Sequence, residues 1–223
     1  MWDALDDQPL PLTPAQITNY LPLTARAYEP AWRWASLSVL SGRHFPLREE
    51  LTLLRELLDP QPDQVYVDVA CSAGLYARAL AVPSAIVAGV DHSWAFVWQA
   101  RRLAQDRGLR ISYIRASAQT LPFTNSSAAG MAMGGSLNEI GDQIGALREI
   151  RRIMLPEARF FNMSLLAAHS AWGRALQTAL GTGGIDFPDP HTFAAWLDAA
   201  DLDVRAQWRW RVVTIALLQA RSR

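Results

Sequence analysis

Residues 65–80 read VYVDVACSAGLYARAL. An apolar run rich in valine ends in an acid, Asp68, passes through the small residues Ala70, Ser72 and Ala73 to Gly74, and resumes as an Ala- and Leu-rich helical segment. This is the pattern of a first strand, turn and helix in an α/β sheet that binds a cofactor at the carboxyl ends of its strands. Small residues in such a turn let the backbone come close to a ligand.

Working outward, residues 85–90 form a second apolar strand that ends in Asp91, 23 residues beyond Asp68. An acid at that place can accept hydrogen bonds from the ribose hydroxyls of an adenosine cofactor. It equally suits the dipole at the start of the next helix, which Ser93 can cap. That helix runs over 94–107 and closes at Gly108. Residues 110–116 make a third strand, SAQTLPF at 117–123 a turn, and Met131–Met133 a short fourth strand opening at Gly134 and Gly135. The paired glycines permit either close approach to a ligand or simply a turn. Residues 136–155 read as one helix with Leu147, Ile150 and Ile153 inward and Arg148, Arg151 and Arg152 on a solvated face. Pro156 ends it, and residues 159–165 form a fifth strand.

The rest of the chain gives helices around 172–180 and 190–200, broken by Gly181–Gly184. A strand over 202–210 then sets Val204, Ala206, Trp208 and Trp210 against Arg205, Gln207 and Arg209 with a period of two. Residues 212–220 are almost continuously apolar and complete an antiparallel hairpin. Upstream of residue 65, Pro9, Pro11 and Pro14 mark an arm over 1–14. Trp32, Trp34, Leu37 and Leu40 fall at helical spacing, and 46–58 is an amphipathic helix. These helices either cover a cofactor and shape a pocket or merely pack on the sheet. The expected division is an arm and helical cap over 1–62 and one compact catalytic unit over 63–223.

The charges balance, 21 basic against 21 acidic, which argues against nucleic acid or an anionic bilayer as the main partner and for a small or neutral substrate. Every basic residue is arginine, so lysine Schiff bases and a P-loop lysine are excluded. One cysteine and four scattered histidines offer no metal-ligand spacing, and the cysteine usage fits a reducing compartment. The acidic, Pro-rich start is unlike a signal peptide, and no apolar run reaches about 18 residues. A cytoplasmic protein without stable membrane insertion is expected; the oligomeric state is not legible.

Four segments in order, DVACSAGLYAR at 68–78, GVDHS at 89–93, SAQTLPF at 117–123 and ALREIRRIMLPEARF at 146–160, resemble the class I S-adenosylmethionine-dependent methyltransferases, in particular the group with quinone-biosynthesis C-methyltransferases. The resemblance spans about 65–165, and the terminal hairpin is similar to that family's last two strands. It implies a Rossmann-like, doubly wound α/β sheet of seven strands with a C-terminal antiparallel hairpin and an N-terminal helical cap. It implies S-adenosylmethionine as cofactor. Asp68 would lie near the methionine amino group, with Ala70 and Gly74 lining the methionine part. Asp91 would take the ribose, His92 would flank the adenine, Ser117 and Ala118 would meet its edge, and Gly134 would lie under the sulfonium. Tyr28 corresponds by position to an aromatic lid. Asn138 and Glu139 either face the substrate or are polar residues at a helix start.

The departures are Ala70 and Ser72 where the family carries glycine, Ser117 where it carries an acid, and Ala128–Ala129 where it carries Phe-Asp. Either the first two positions sit at ordinary backbone angles or cofactor affinity is reduced, since a side chain at a glycine conformation costs about 1 kcal/mol or more. A pyrophosphate needs glycine at this turn and adenosylmethionine carries no phosphate, so nicotinamide dinucleotides are disfavoured. No Asn/Asp-Pro-Pro-aromatic run follows the fourth strand, which argues against nucleic-acid N-methylation. The expectation is C- or O-methylation of a small apolar or aromatic molecule. The alternative is a non-catalytic relative that holds the cofactor for binding or regulation.

Overall fold

The computed structural model describes residues 34–221, together with Ile17. Seven strands form one sheet: β1 Val65–Val69, β2 Ile86–Asp91, β3 Ser112–Arg115, β4 Ala128–Gly134, β5 Met154–Leu165, β6 Leu202–Trp210 and β7 Val213–Ala220. Their order is β3-β2-β1-β4-β5-β7-β6, with β1 to β5 parallel and β7 antiparallel to both neighbours. The helices are α1 Trp34–Ser41, α2 Leu47–Leu58, α3 Leu75–Leu80, α4 Trp94–Gln105, α5 Gln143–Ile153, α6 Ala171–Gly181 and α7 Pro190–Ala199. The Rossmann-like, doubly wound sheet with its terminal antiparallel hairpin is therefore present as read from the sequence. The chain winds outward from β1 to β3 and returns to β4 beside β1. That reversal opens a crevice at the carboxyl ends of β1 and β4.

Parallel strands are buried on both faces, and their side chains split the core into two layers. Val67, Val69, Met131, Met133 and Phe160 pack with Leu147 and Ile150 of α5 and Phe193 and Leu197 of α7. Tyr66, Ala132, Phe161 and Met163 pack on the other face with Leu54 and Leu58 of α2, Ala77 and Leu80 of α3, and Val97 and Ala100 of α4. Helix α2 is tied into this second layer: Arg55 donates from Nε to the Ala79 carbonyl at 2.8 Å, and the Tyr76 hydroxyl donates to Glu50. Among the described residues no helix is long and apolar enough to cross a membrane.

Three local readings change. The single helix expected over 136–155 is a 3-10 turn, Ser136–Glu139, followed by α5, because Asp142 restarts the helix by accepting from the Gly145 amide at 2.8 Å. Helix α5 ends at Ile153, and Pro156 lies inside β5. The register with β4 slips there from Ala128 opposite Met154 to Gly130 opposite Arg159, and an irregularity tolerates a residue without an N–H. In β6 the alternation breaks between Val204 and Ala206, which face Leu218 and Leu217, so Arg205 is the extra residue of a bulge and Val204 is exposed.

A further change concerns Arg152, which does not belong to a solvated face. Its guanidinium donates from Nε and Nη2 to Glu149 at 2.7 and 2.8 Å, from Nη2 to the Leu121 carbonyl at 2.9 Å, and from Nη1 to the Phe123 carbonyl and Asn125 Oδ1 at 2.8 Å each. Five bonds match the five donors of the group. Glu149 also accepts from the Leu121 amide at 2.9 Å, so the pair anchors the loop from β3 to β4. The hydrogen bonds from Arg152 hold the Glu149 carboxyl below its ordinary range. Replacing Arg152 with methionine should cost about 1–3 kcal/mol, by the worth of hydrogen bonds to charged groups, read as a lower urea midpoint at unchanged slope.

Candidate functional site

A cleft of about 730 Å³ opens where the winding reverses, within the roughly 300–1,000 Å³ typical of small-molecule sites. One end is polar, formed by Ala70 and Ser72 of the turn after β1 and by Asp91, His92 and Phe96 at the end of β2 and the start of α4. Gly134, Gly135, Ser136, Asn138 and Glu139 form the middle. The other end is largely apolar, with Leu40 of α1, Met163 and Leu165 of β5, Trp172, Leu176 and Leu180 of α6, and Phe187.

The turn is built by a set of bonds to its surroundings. The Cys71 amide donates to the Val90 carbonyl at 2.9 Å, the Gly74 amide to the Cys71 carbonyl at 2.7 Å, and the Ser136 hydroxyl to the Ala70 carbonyl at 3.1 Å. Ala70 and Ser72 have φ of 53° and 47°, and Gly74 has 78°. Ordinary angles at residues 70 and 72 are thereby ruled out. The turn keeps the left-handed geometry with side chains in place, at about 1–2 kcal/mol for each such residue.

Asp91 is 5% exposed and borders the cleft. Its Oδ2 accepts from the Ser72 amide and its Oδ1 from the Ser93 amide, both at 2.9 Å. Burial pushes its carboxyl above the ordinary value, opposed by His92 and by the two amide donors. A carboxylate has about four acceptor positions, so two remain for a ligand. Ser93 also caps α4, accepting from the Phe96 amide at 3.4 Å.

Of the residues singled out in the sequence, Ala70, Asp91, His92, Gly134 and Asn138 come together around the cleft. Asp68 and Gly74 do not line the cleft. The Asp68 carboxylate accepts from the Ala77 amide at 2.8 Å, and a β-carbon on Gly74 would come within 2.4 Å of the Tyr113 hydroxyl. Ser117 and Ala118 are not on the cleft wall; the Ser117 hydroxyl pairs with Gln119, and the preceding Ala116 amide binds the Asp91 carbonyl at 3.1 Å. Asn138 is committed to structure. Its amide nitrogen donates to the Leu165 and Asp186 carbonyls at 2.7 and 2.5 Å, and its oxygen accepts from the Leu165 amide at 2.8 Å. Tyr28 lies outside the described residues. The Cys71 thiol is pushed well up by burial and by the nearby Asp68 and Asp91 carboxylates, which makes it a poor nucleophile. Among the described residues no group of three or more His, Cys, Asp or Glu side chains is arranged to hold a metal.

Two further features shape the cleft. Phe96 sits in the first turn of α4, five residues after Asp91, packed with Ala73 and bordering the cleft. Trp172, Leu176 and Leu180 recur every fourth residue, so they share one face of α6. They line the cleft while being 80%, 53% and 43% exposed.

Residues 67–162 match the model of the methyltransferase domain family. Over these residues, a little under half of the chain, the sequence is that of a methyltransferase domain of the class I S-adenosylmethionine-dependent type. The cofactor of that family is S-adenosylmethionine. A demethylmenaquinone methyltransferase of Corynebacterium kroppenstedtii is 29% identical over 122 residues, 55% of this chain and 50% of that protein. A demethylmenaquinone methyltransferase of Thermus thermophilus is 30% identical over 104 residues, 46% of this chain and 47% of the relative. The chain thus spans about half the length of the curated relatives it matches. Among solved structures, the cyclase SpnF superposes with a TM-score of 0.73 at 16% identity over 96% of this chain and 98% of that one. A S-adenosylmethionine-dependent methyltransferase of Aquifex aeolicus gives 0.65 at 14% identity over 89% and 98%. These two likenesses concern the fold.

The strained turn generates a direct test. Replacing Ala70 and Ser72 together by glycine should raise unfolding stability by about 1 kcal/mol, the left-handed penalty less the entropy cost of glycine. Urea denaturation of the two proteins measures it.

Proposed function

We propose that the protein transfers a methyl group from S-adenosylmethionine to carbon or oxygen of a small apolar or aromatic molecule. The observation that carries this reading is the Asp91 carboxylate, buried at the cleft edge with two acceptor positions left beside a turn of small residues. Those residues fit the cofactor: Asp91 would hold the ribose hydroxyls, His92 and Phe96 would flank the adenine, and Ser117 and Ala118 would stand behind it. Gly134 and Gly135 would lie beneath the sulfonium. A β-carbon at Gly134 would sit 2.8 Å from the Tyr76 ring, so a larger residue would disturb that floor. Ala70 and the turn to Gly74 would border the methionine part above Asp68, and Tyr28 is assigned the role of lid.

When bound, the cofactor supplies a methyl group on a sulfonium ready for in-line displacement. The chain's own contribution is alignment and exclusion of water. Trp172, Leu176, Leu180, Phe187 and Leu40 offer an apolar wall against which a substrate ring would lie, and Glu139 and His169 border the same space with groups able to take a proton. Asn138, its amide already used, serves by fixing the loop around Asp186 as part of that wall. The left-handed Ala70 and Ser72 favour a second reading, a non-catalytic cofactor-binding protein. Retained cofactor affinity with no methyl transfer across a panel of phenols, quinols and enols would support it.

Calorimetric titration with S-adenosylmethionine tests the main reading, and failure to bind would overturn it. Asp91→Ala should weaken binding about 100-fold, the worth of two hydrogen bonds to a charged group. The pH dependence has a defined sign. Only ionised Asp91 accepts two hydroxyl protons, and its pKa lies above the usual aspartate value. Affinity should therefore be full well above that pKa and fall as pH drops through it, by up to about tenfold per unit, with the dependence absent in Asp91→Ala.

A further inference from the structure

We propose that Arg78 is a positioning residue that holds the turn from Ala70 to Gly74 in its cofactor-receiving shape, a task that glycine performs unaided at this turn in the family. The inference rests on the cofactor assignment above. Helix α3 is short and made of Leu, Tyr and Ala apart from this one arginine, which is only 5% exposed. A buried guanidinium is unfavourable unless its surroundings compensate it. Its Nη1 donates to the carbonyl of Ala73, the residue between the left-handed Ser72 and Gly74. The Arg78 amide donates to the Gly74 carbonyl at 3.0 Å as the first backbone bond of α3, which starts the side chain directly beside the Ala73 carbonyl it tethers.

The charges around it complete the case. Asp68 of β1 accepts from the adjacent Ala77 amide, Asp91 of β2 accepts from the Ser72 amide, and Cys71 and Tyr113 of β3 share the same interior. Asp68 and Asp91 are two carboxylates near one turn, and both act on Cys71, as does Arg78 with opposite sign. Tyr113, whose phenol is pushed up chiefly by burial, also senses Arg78 and Asp68 in opposite directions. Arg78 therefore offsets negative charge directly under the turn while tethering its backbone. With alanine and serine at residues 70 and 72 the left-handed turn is under strain, and such a tether opposes its relaxation.

A double-mutant cycle tests this. Arg78→Met is made in the natural chain and in the Ala70→Gly/Ser72→Gly chain, and S-adenosylmethionine affinity and thermal unfolding midpoint are measured in all four proteins. The tether predicts at least a tenfold loss of affinity in the natural chain and less than a threefold loss in the glycine chain, with midpoint changes likewise smaller in the latter. Arg78→Lys, which keeps the charge and one donor, should recover part of the loss. Equal losses in both backgrounds, or none in either, would overturn the proposal and leave Arg78 a packing residue. If Arg78→Met folds only in the glycine background, the proposal is supported; if it folds in neither, the same cycle with Arg78→Lys decides. Should no protein bind the cofactor, the functional reading fails, and non-additive midpoints still decide for or against the tether.

Discussion

The contact on which the site depends is the pair of backbone amides, Ser72 and Ser93, that converge on the buried carboxylate of Asp91. One amide belongs to the turn after β1 and the other to the cap of α4, so a single side chain sets the separation of two βα units. The Cys71 amide on the Val90 carbonyl and the Ala116 amide on the Asp91 carbonyl extend the same seam across β1, β2 and the loop after β3. Burial works against the charge of Asp91 and the amides work for it. The balance leaves a carboxylate that still gains by accepting more donors, which is the property a ribose-binding acid needs.

The sheet was legible because parallel strands buried on both faces must be apolar runs, and the runs at β1, β2 and β5 are hard to read otherwise. The hairpin was legible for the same reason, although the bulge at Arg205 was not, since a bulge is set by pairing with β7 and leaves no local mark. Pro156 misled in the other direction. As a helix breaker it gave a boundary two residues late, and its place inside β5 depends on a register slip visible only against β4.

The site divided along similar lines. Asp91, Ala70, His92 and Gly134 border one cleft because the topology brings strand ends and small residues together. Asn138 borders the same cleft, but its partners, Leu165 and Asp186, are 27 and 48 residues away, and no spacing announces them. The anchoring by Arg152 and Glu149 escaped for a related reason, since a charged pair at i and i+3 on a helix resembles any solvated pair until the loop at Leu121 and Phe123 is laid across it. Ala70 and Ser72 showed the limit of composition: the residue types left ordinary and left-handed angles both open, and the folded turn holds the left-handed ones.

Helix α6 has no buried residue, yet its Trp172, Leu176 and Leu180 stripe forms much of the apolar end of the cleft. The two halves of the cleft are thus unequally bound to the core. The half formed by the turn and Asp91 cannot be altered without disturbing strands β1 and β2, whereas the α6 half can be resurfaced with little effect on folding. A fold arranged this way separates inheritance from innovation: the part proposed to receive the common cofactor is fixed by the sheet, and the part proposed to meet the substrate is free to diverge.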